Sequence, residues 1–241
     1  MKKKLLLLTI AVLCLGTFAS ADNYSAFGNR AAQNATDIID WTQLGPDFSI
    51  SGTTIPTPAL VASFAGNLAL VGNINGGDFV RVDQGLSWNG NFDFGESLVW
   101  TGNSNFGGGG GGPFLIEMAN PVQSIGIGIM ADLFGPFTAT VVVYDASLSP
   151  VALFNFFGTS TSSNAGDNLF MGIADNSGVN IGAVVISTTS AGDTGGTFVN
   201  DFALDDPSFG YGPIIPEPST LVLLGSGLLG LAGMVRHKRK S

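Results

Sequence analysis

The sequence predicts an all-β protein: an antiparallel β-sandwich or jelly-roll-like body, with an N-terminal signal peptide and one C-terminal transmembrane helix. Three observations carry this expectation. Of 241 residues, 45% are hydrophobic and only 11% charged, with 35 Gly and 18 Phe, a balance that folds rather than stays disordered. Short runs of Val, Ile, Phe and Thr recur along the body with Gly, Asn and Pro between them, as strands and turns require. An apolar run flanked by basic residues stands at each extremity.

The first element is the leader. Lys2, Lys3 and Lys4 precede the apolar run from Leu5 to Leu15, and Ala19-Ser20-Ala21 precede Asp22. A basic start, a short oily stretch and small residues at Ala19 and Ala21 form a secretory signal peptide over 1–21, cut by signal peptidase after Ala21. The run is short for a span of about 20 residues. Leu13 stands before Cys14, where a lipoprotein signal wants a small residue, so Cys14 reads as part of the oily stretch.

Residues 22–37, polar and rich in Ala and Asn, read as a flexible lead-in, and 38–206 as the sandwich domain. β-type runs fall at 59–64, 68–71, 79–82, 97–100, 114–118, 124–130, 137–144, 151–157, 169–173, 181–187 and 198–204. Ile125, Ile127 and Ile129 alternate with Gly126 and Gly128; Thr138, Thr140 and Val142 alternate with Ala139, Val141 and Val143. Period-2 runs separated by turn residues predict an antiparallel sandwich or jelly roll. Gly107 to Gly112 form an unbroken glycine run that reads as a loop. No Gly-Lys-Ser/Thr follows it, so it is not a phosphate cradle.

Residues 207–215 read as a spacer. Pro216-Glu217-Pro218 follow, and two prolines two apart keep the backbone extended and helix-free. Residues 221–235 carry no charge and predict a transmembrane helix of about 22 Å. Arg236, His237, Lys238, Arg239 and Lys240 come next. Basic residues remain on the cytoplasmic side, which orients the helix with its N-terminus outward. In order, Pro-Glu-Pro, an apolar Gly/Leu-rich helix and a terminal basic cluster resemble the PEP-CTERM sorting signal of Gram-negative bacteria, with Ile215 where Val is common. The resemblance covers 215–241. It implies processing by an exosortase at or near Pro216, Glu217 and Pro218, a membrane-anchored precursor, a final place at the cell surface or outside it, and a host that makes exopolysaccharide. Asp83-Gln84-Gly85, the stretch 88–92 and the stretch 134–140 are similar to segments of other PEP-CTERM proteins, and 201–206 resembles the last strand of exported jelly-roll domains.

Charge and missing residue types bound the chemistry. Seven of the nine Lys and Arg lie in the two ends, leaving two arginines against seventeen acids between Asp22 and Ile215, a net charge of −15. So acidic a surface repels phosphate backbones, which excludes nucleic acid as a partner. The central region has no His, Cys or Lys, which excludes His-activated nucleophiles, imidazole or thiolate zinc sites and Schiff bases. Carboxylate chemistry survives. Asp201, Asp205 and Asp206, with Asp175 or Asp193, are the candidate calcium ligands, without the regular spacing of a calcium loop; a solvated acidic surface is the plainer reading. Glu96 and Glu117 are the body's glutamates, and no partner pairs them for a two-carboxylate glycosidase. Trp88, with Asn89 and Asn91, is the candidate sugar platform, against the plainer reading of Trp41, Trp88 and Trp100 as core. The expected function is therefore a non-catalytic structural or interaction role at the cell surface or in the extracellular matrix, without a cofactor. The alternative is a lectin-like module for extracellular polysaccharide, calcium-assisted or not.

Overall fold

Alternating apolar residues resolve into two antiparallel sheets. The computed structural model describes residues 23–47, 49–50, 58–75, 78–102, 111–193 and 199–211. The leader with Ala19 and Ala21, the Pro216–Pro218 motif, the predicted helix over 221–235 and the basic cluster lie outside the described residues. Among the described residues no helix is long and apolar enough to cross a membrane.

Along the chain the elements are β1 (Tyr24–Phe27), helix α1 (Arg30–Gln33), β2 (Asp37–Ile38), a 3₁₀ turn (Trp41–Leu44), β3 (Ser49–Ile50), β4 (Ala59–Ala62), β5 (Leu68–Asn73) and β6 (Val80–Asp83). There follow β7 (Ser97–Trp100), β8 (Phe114–Val122), β9 (Ser124–Ala131), β10 (Gly135–Asp145), β11 (Pro150–Ser160), β12 (Leu169–Asp175), β13 (Ile181–Ser190), β14 (Phe202–Leu204) and β15 (Ser208–Gly210). A nine-stranded sheet runs β1-β12-β9-β14-β7-β6-β3, with β15 also beside β9 and β2 beside β15; a six-stranded sheet runs β11-β10-β13-β8-β5-β4.

The core lies between the sheets. Ile125 and Ile127 of β9 and Met171 and Ile173 of β12 face Val141 of β10 and Val184 and Ile186 of β13. All seven are buried, so their apolar area leaves water, the main favourable term in folding. The intervening residues of the nine-stranded sheet point away from this core and are covered too. Val80, Val82, Leu98, Met130 and Ala203 form a second apolar cluster beneath Trp88 and Phe92 of the β6–β7 connection. On β9 and β12 the outward positions include Gly126 and Gly172, where a Cβ would overlap Gln33 and Phe170, and Phe27, respectively. Glycine is needed there because Gln33 of α1 and the rings of Phe27 and Phe170 lie directly on the sheet.

Two expectations about boundaries change as a result. The lead-in expected over 22–37 is built into the fold: Tyr24–Phe27 pair with β12, Asp37 pairs with Phe209, and Gln33 is buried and donates to the Ser208 carbonyl at 2.8 Å. The spacer expected over 207–215 begins with β15, which pairs with β9 at Ser208, Phe209 and Gly210. The polar sequence of the first and the shortness of the second concealed them, because short strands held by backbone pairing and one buried amide need no apolar period. The predicted runs at 114–118, 137–144 and 151–157 are each longer in the structure, as β8, β10 and β11.

Candidate functional site

The residues proposed for chemistry fall into two groups, one on the β6–β7 connection and one after β14.

Trp88 is 6% exposed, and its ring lies 5.8 Å from that of Trp100 at 53°. It offers no open face, which corrects the expectation of a sugar platform. The physical reason is the second apolar cluster: the outer face of β6, β7, β9 and β14 needs a cover, and Trp88 and Phe92 provide it. Asn91 is buried and anchors the same connection. Its Nδ2 donates to Asp167 Oδ1 at 2.9 Å, and its Oδ1 accepts from the Thr161 N–H at 2.6 Å. Asn89 alone of the three is exposed. Gln84, which the sequence marked only as part of the Asp83-Gln84-Gly85 stretch, donates to the Gly90 carbonyl and to Asn164 Oδ1 and ties this connection to the loop after β11.

β14 separates the three aspartates. Asp201 precedes it and accepts from Trp100 Nε1 at 2.6 Å. Asp205 follows it, about 13 Å further along an extended chain. The set proposed for calcium is thus not gathered at one point, and among the described residues no group of three or more His, Cys, Asp or Glu is placed to hold a metal ion. Asp175 instead caps the β12–β13 turn through Ser177 N and Oγ.

Asp205 and Asp206 occupy a break between β14 and β15, both of which run beside β9. Asp205 fills the break as a strand would. Its Oδ1 accepts from the Gly128 N–H at 2.6 Å, and its own N–H donates to the Gly128 carbonyl at 3.1 Å. Its Oδ2 accepts from Arg30 Nη2 at 2.7 Å. Arg30 in turn lies 5.2 Å from the centroid of the Phe170 ring. The Trp41 indole N–H donates to the Asp205 carbonyl at 2.7 Å, and the Trp41 backbone N–H donates to Asp206 Oδ1 at 2.9 Å. A Cβ at Gly128 would collide with the Asp205 carboxylate and Asn168. Sequence reasoning missed Arg30, whose only signal was its isolation as one of two basic residues in an acidic body.

The electrostatics follow from burial. Asp206 is pushed up to about 7 by burial, with the charges of Asp40, Asp205 and Glu96 adding to the rise against the Trp41 hydrogen bond. Burial also raises Glu96, helped by the charge of Asp205. For Asp205, burial pushes upward against the pull of Arg30 and the Gly128 N–H. The structure therefore brings Glu96, Asp205 and Asp206 into one electrostatic neighbourhood that the sequence left unpaired. Asp205 and Asp206, however, spend their oxygens on the backbone and on Arg30. The arrangement locks the N-terminal segment and the Trp41 turn onto β9, and it has the chemistry of a structural clasp.

Comparison with known proteins adds one positive finding at the far end of the chain. No curated protein matches it. Among solved structures, a DUF4465 family protein from Bacteroides caccae is similar over 71% of this chain and 98% of its own, with 11% identity and a TM-score of 0.42; so distant a likeness supports no inference about fold or activity. Residues 215–240 match the family model of the PEP-CTERM protein-sorting motif. The match takes in the Pro-Glu-Pro segment, the uncharged stretch and the basic cluster, and the chain is accordingly a protein bearing a PEP-CTERM sorting motif.

Proposed function

We propose that this protein is exported by its leader, held briefly as a membrane-anchored precursor in a Gram-negative-type envelope, and processed by an exosortase near Pro216, Glu217 and Pro218. Its body then serves a non-catalytic structural or interaction role at the cell surface or in the polysaccharide matrix. The sorting motif at 215–240 carries this reading. Its parts fit the task physically: prolines present an extended segment to an enzyme groove, an uncharged stretch stops in the bilayer, and the basic cluster resists translocation. The non-catalytic role is supported by the use of the Asp201, Asp205 and Asp206 carboxylates in fold-holding bonds. Burial of Trp88 favours it over a sugar-binding platform.

Mass spectrometry of the protein extracted from its native cell surface tests the reading. The expected chain begins at Asp22 and ends near Pro216–Pro218. A surface form that still ends at Ser241 would rule out processing. Pro216→Ala with Pro218→Ala is expected to accumulate the membrane-bound precursor.

A further inference from the structure

The two sheets treat their outer faces differently. On the nine-stranded sheet, the outer face is covered by α1 with the Phe27 ring and by the β6–β7 connection. On the six-stranded sheet, no element among the described residues covers the outer face, and one row of that face is apolar across four strands. Leu153 of β11 stands opposite Val142 of β10, Val142 opposite Val185 of β13, and Val185 opposite Leu115 of β8. The row ends at the sheet edge with Leu153 60% exposed, and Phe157 on the same strand is 76% exposed.

That edge is unusual in its own right. β11 has eleven residues, about 36 Å of strand, and among the described residues pairs only with β10. Its other side therefore offers an open row of backbone donors and acceptors. Natural proteins protect such an edge with short length, charge, an interior proline or a bulge. β4, at the opposite edge, has four residues. β11 has no charged residue, its one proline, Pro150, is its first residue, and its register shift against β10 falls at Val151, beside that end, which leaves Ala152 to Ser160 in regular pairing. Its inward-facing Ala152, Phe154 and Phe156 are only partly buried against the core, since β1, at the corresponding edge of the other sheet, has four residues.

We propose that β11 is a self-association edge, pairing antiparallel with β11 of a second copy to join two six-stranded sheets into one. The strand is self-complementary about Asn155. A two-fold axis there sets Asn155 against its own copy, Leu153 against Phe157 of the other chain on both sides of the axis, and Val151 against Thr159. Such an isologous contact closes a dimer and leaves no further edge of this kind open. It also continues the apolar row: Leu115, Val185, Val142 and Leu153 of one chain run on to Phe157 of the other. Charge favours this edge over the rest of the surface, because a region of net charge −15 repels its own copy wherever carboxylates face each other, and none lies on β11.

The experiment uses the full chain in a Cys14→Ser background, extracted in mild detergent. Asn155→Cys is expected to give a disulfide-linked dimer on non-reducing electrophoresis, because facing residues of an antiparallel pair fall within the Cα separation a disulfide spans. Leu60→Cys, equally accessible on β4, is expected to stay monomeric. No crosslinking at Asn155→Cys, or equal crosslinking at both positions, would overturn the proposal. In sedimentation, Phe157→Lys is expected to shift the protein to monomer by at least tenfold in dissociation constant without changing its unfolding temperature. Adding Leu153→Glu is expected to restore the dimer, since each introduced lysine then faces an introduced glutamate of the other chain. Failure of that rescue would reject the Asn155-centred register. None of these readouts depends on tail processing.

Discussion

At the scale of single residues, the clasp after β14 decides how the protein responds to acid and to substitution. Burial gives Asp206 a folded-state value of about 7, above the ordinary value near 4 of an unfolded chain. Between those values the folded form keeps a proton that the unfolded form has lost. Stability is therefore greatest at the acidic end of this window and falls as pH rises from about 4 to 7, by at most about 1.4 kcal/mol per pH unit from this group. Asp206→Asn, which keeps an acceptor for the Trp41 N–H, is expected to flatten that slope and to raise the melting temperature at pH 7.5. Thermal unfolding at pH 5, 6, 7 and 8 checks it, and an unchanged slope would count against the assignment. Asp37 and Asp167 act in the opposite direction. Burial acts upward on Asp37, but bonds from Ser63, Ala65, Ile38 and Tyr211 hold it below its usual range; Ser163 and Asn91 hold Asp167 low. Their contribution is present above the unfolded value and fades as pH falls through the lowered one, so stability passes through a maximum on the acid side of neutrality.

Arg30 and Gly128 are the other residues that this clasp singles out. Arg30→Ala leaves the buried Asp205 without its cation and is expected to cost about 1–3 kcal/mol; Asp205→Asn in the same chain should recover part of it. Gly128→Ala drives a methyl group into Asp205 and Asn168 and is expected to cost about 1–3 kcal/mol by overpacking. Denaturant unfolding measures both.

At the scale of elements, the glycines of β9 explain what alternation alone did not. Ile125, Ile127 and Ile129 read correctly as one buried face. Gly126 and Gly128 read only as the other face, and their purpose is visible once Gln33, Phe170 and Asp205 are seen lying against them. The segment over 23–34 is thus a cover and not a tether. Its removal is expected to lower the melting temperature by several degrees, where loss of a loose lead-in would change nothing. The β6–β7 connection behaves likewise. Trp88→Ala is expected to cost about 3–5 kcal/mol through the cavity it leaves. Trp88→Phe should cost far less, since the buried Trp88 Nε1 has no hydrogen-bond partner to lose. Neither substitution should alter retention on polysaccharide beads, whereas an exposed sugar platform would lose it in both.

At the scale of the whole molecule, Tyr211 donates to Asp37 Oδ2 at 3.0 Å and accepts from Asn67 at 3.0 Å, which ties the last described residue to the body. A chain ending near 215 is therefore expected to melt within about 2 °C of the full chain, a difference worth under about 1 kcal/mol; calorimetry on the two forms decides it. The strands of the body were legible because residues that alternate between core and an open face alternate in polarity, as Phe137, Ala139 and Val141 do with Thr138 and Thr140 along β10. The roles of Asp201, Asp205, Asp206 and Trp88 were not. A carboxylate that clasps a backbone and one that holds a cation are the same letter in a sequence, and so are a tryptophan that covers a sheet and one that stacks on a sugar.

The sequence by itself determined the β class, the acidic body and the sorting motif, because periodicity, net charge and a contiguous motif are properties of neighbours along the chain. Only the tertiary structure decided that Trp88 is buried, that the three aspartates do not converge, that residues 23–34 belong to the fold, and that β11 is left as an open edge. Each of these depends on which surfaces meet across long sequence separations, and burial, hydrogen-bond partners and strand order exist only once they have met.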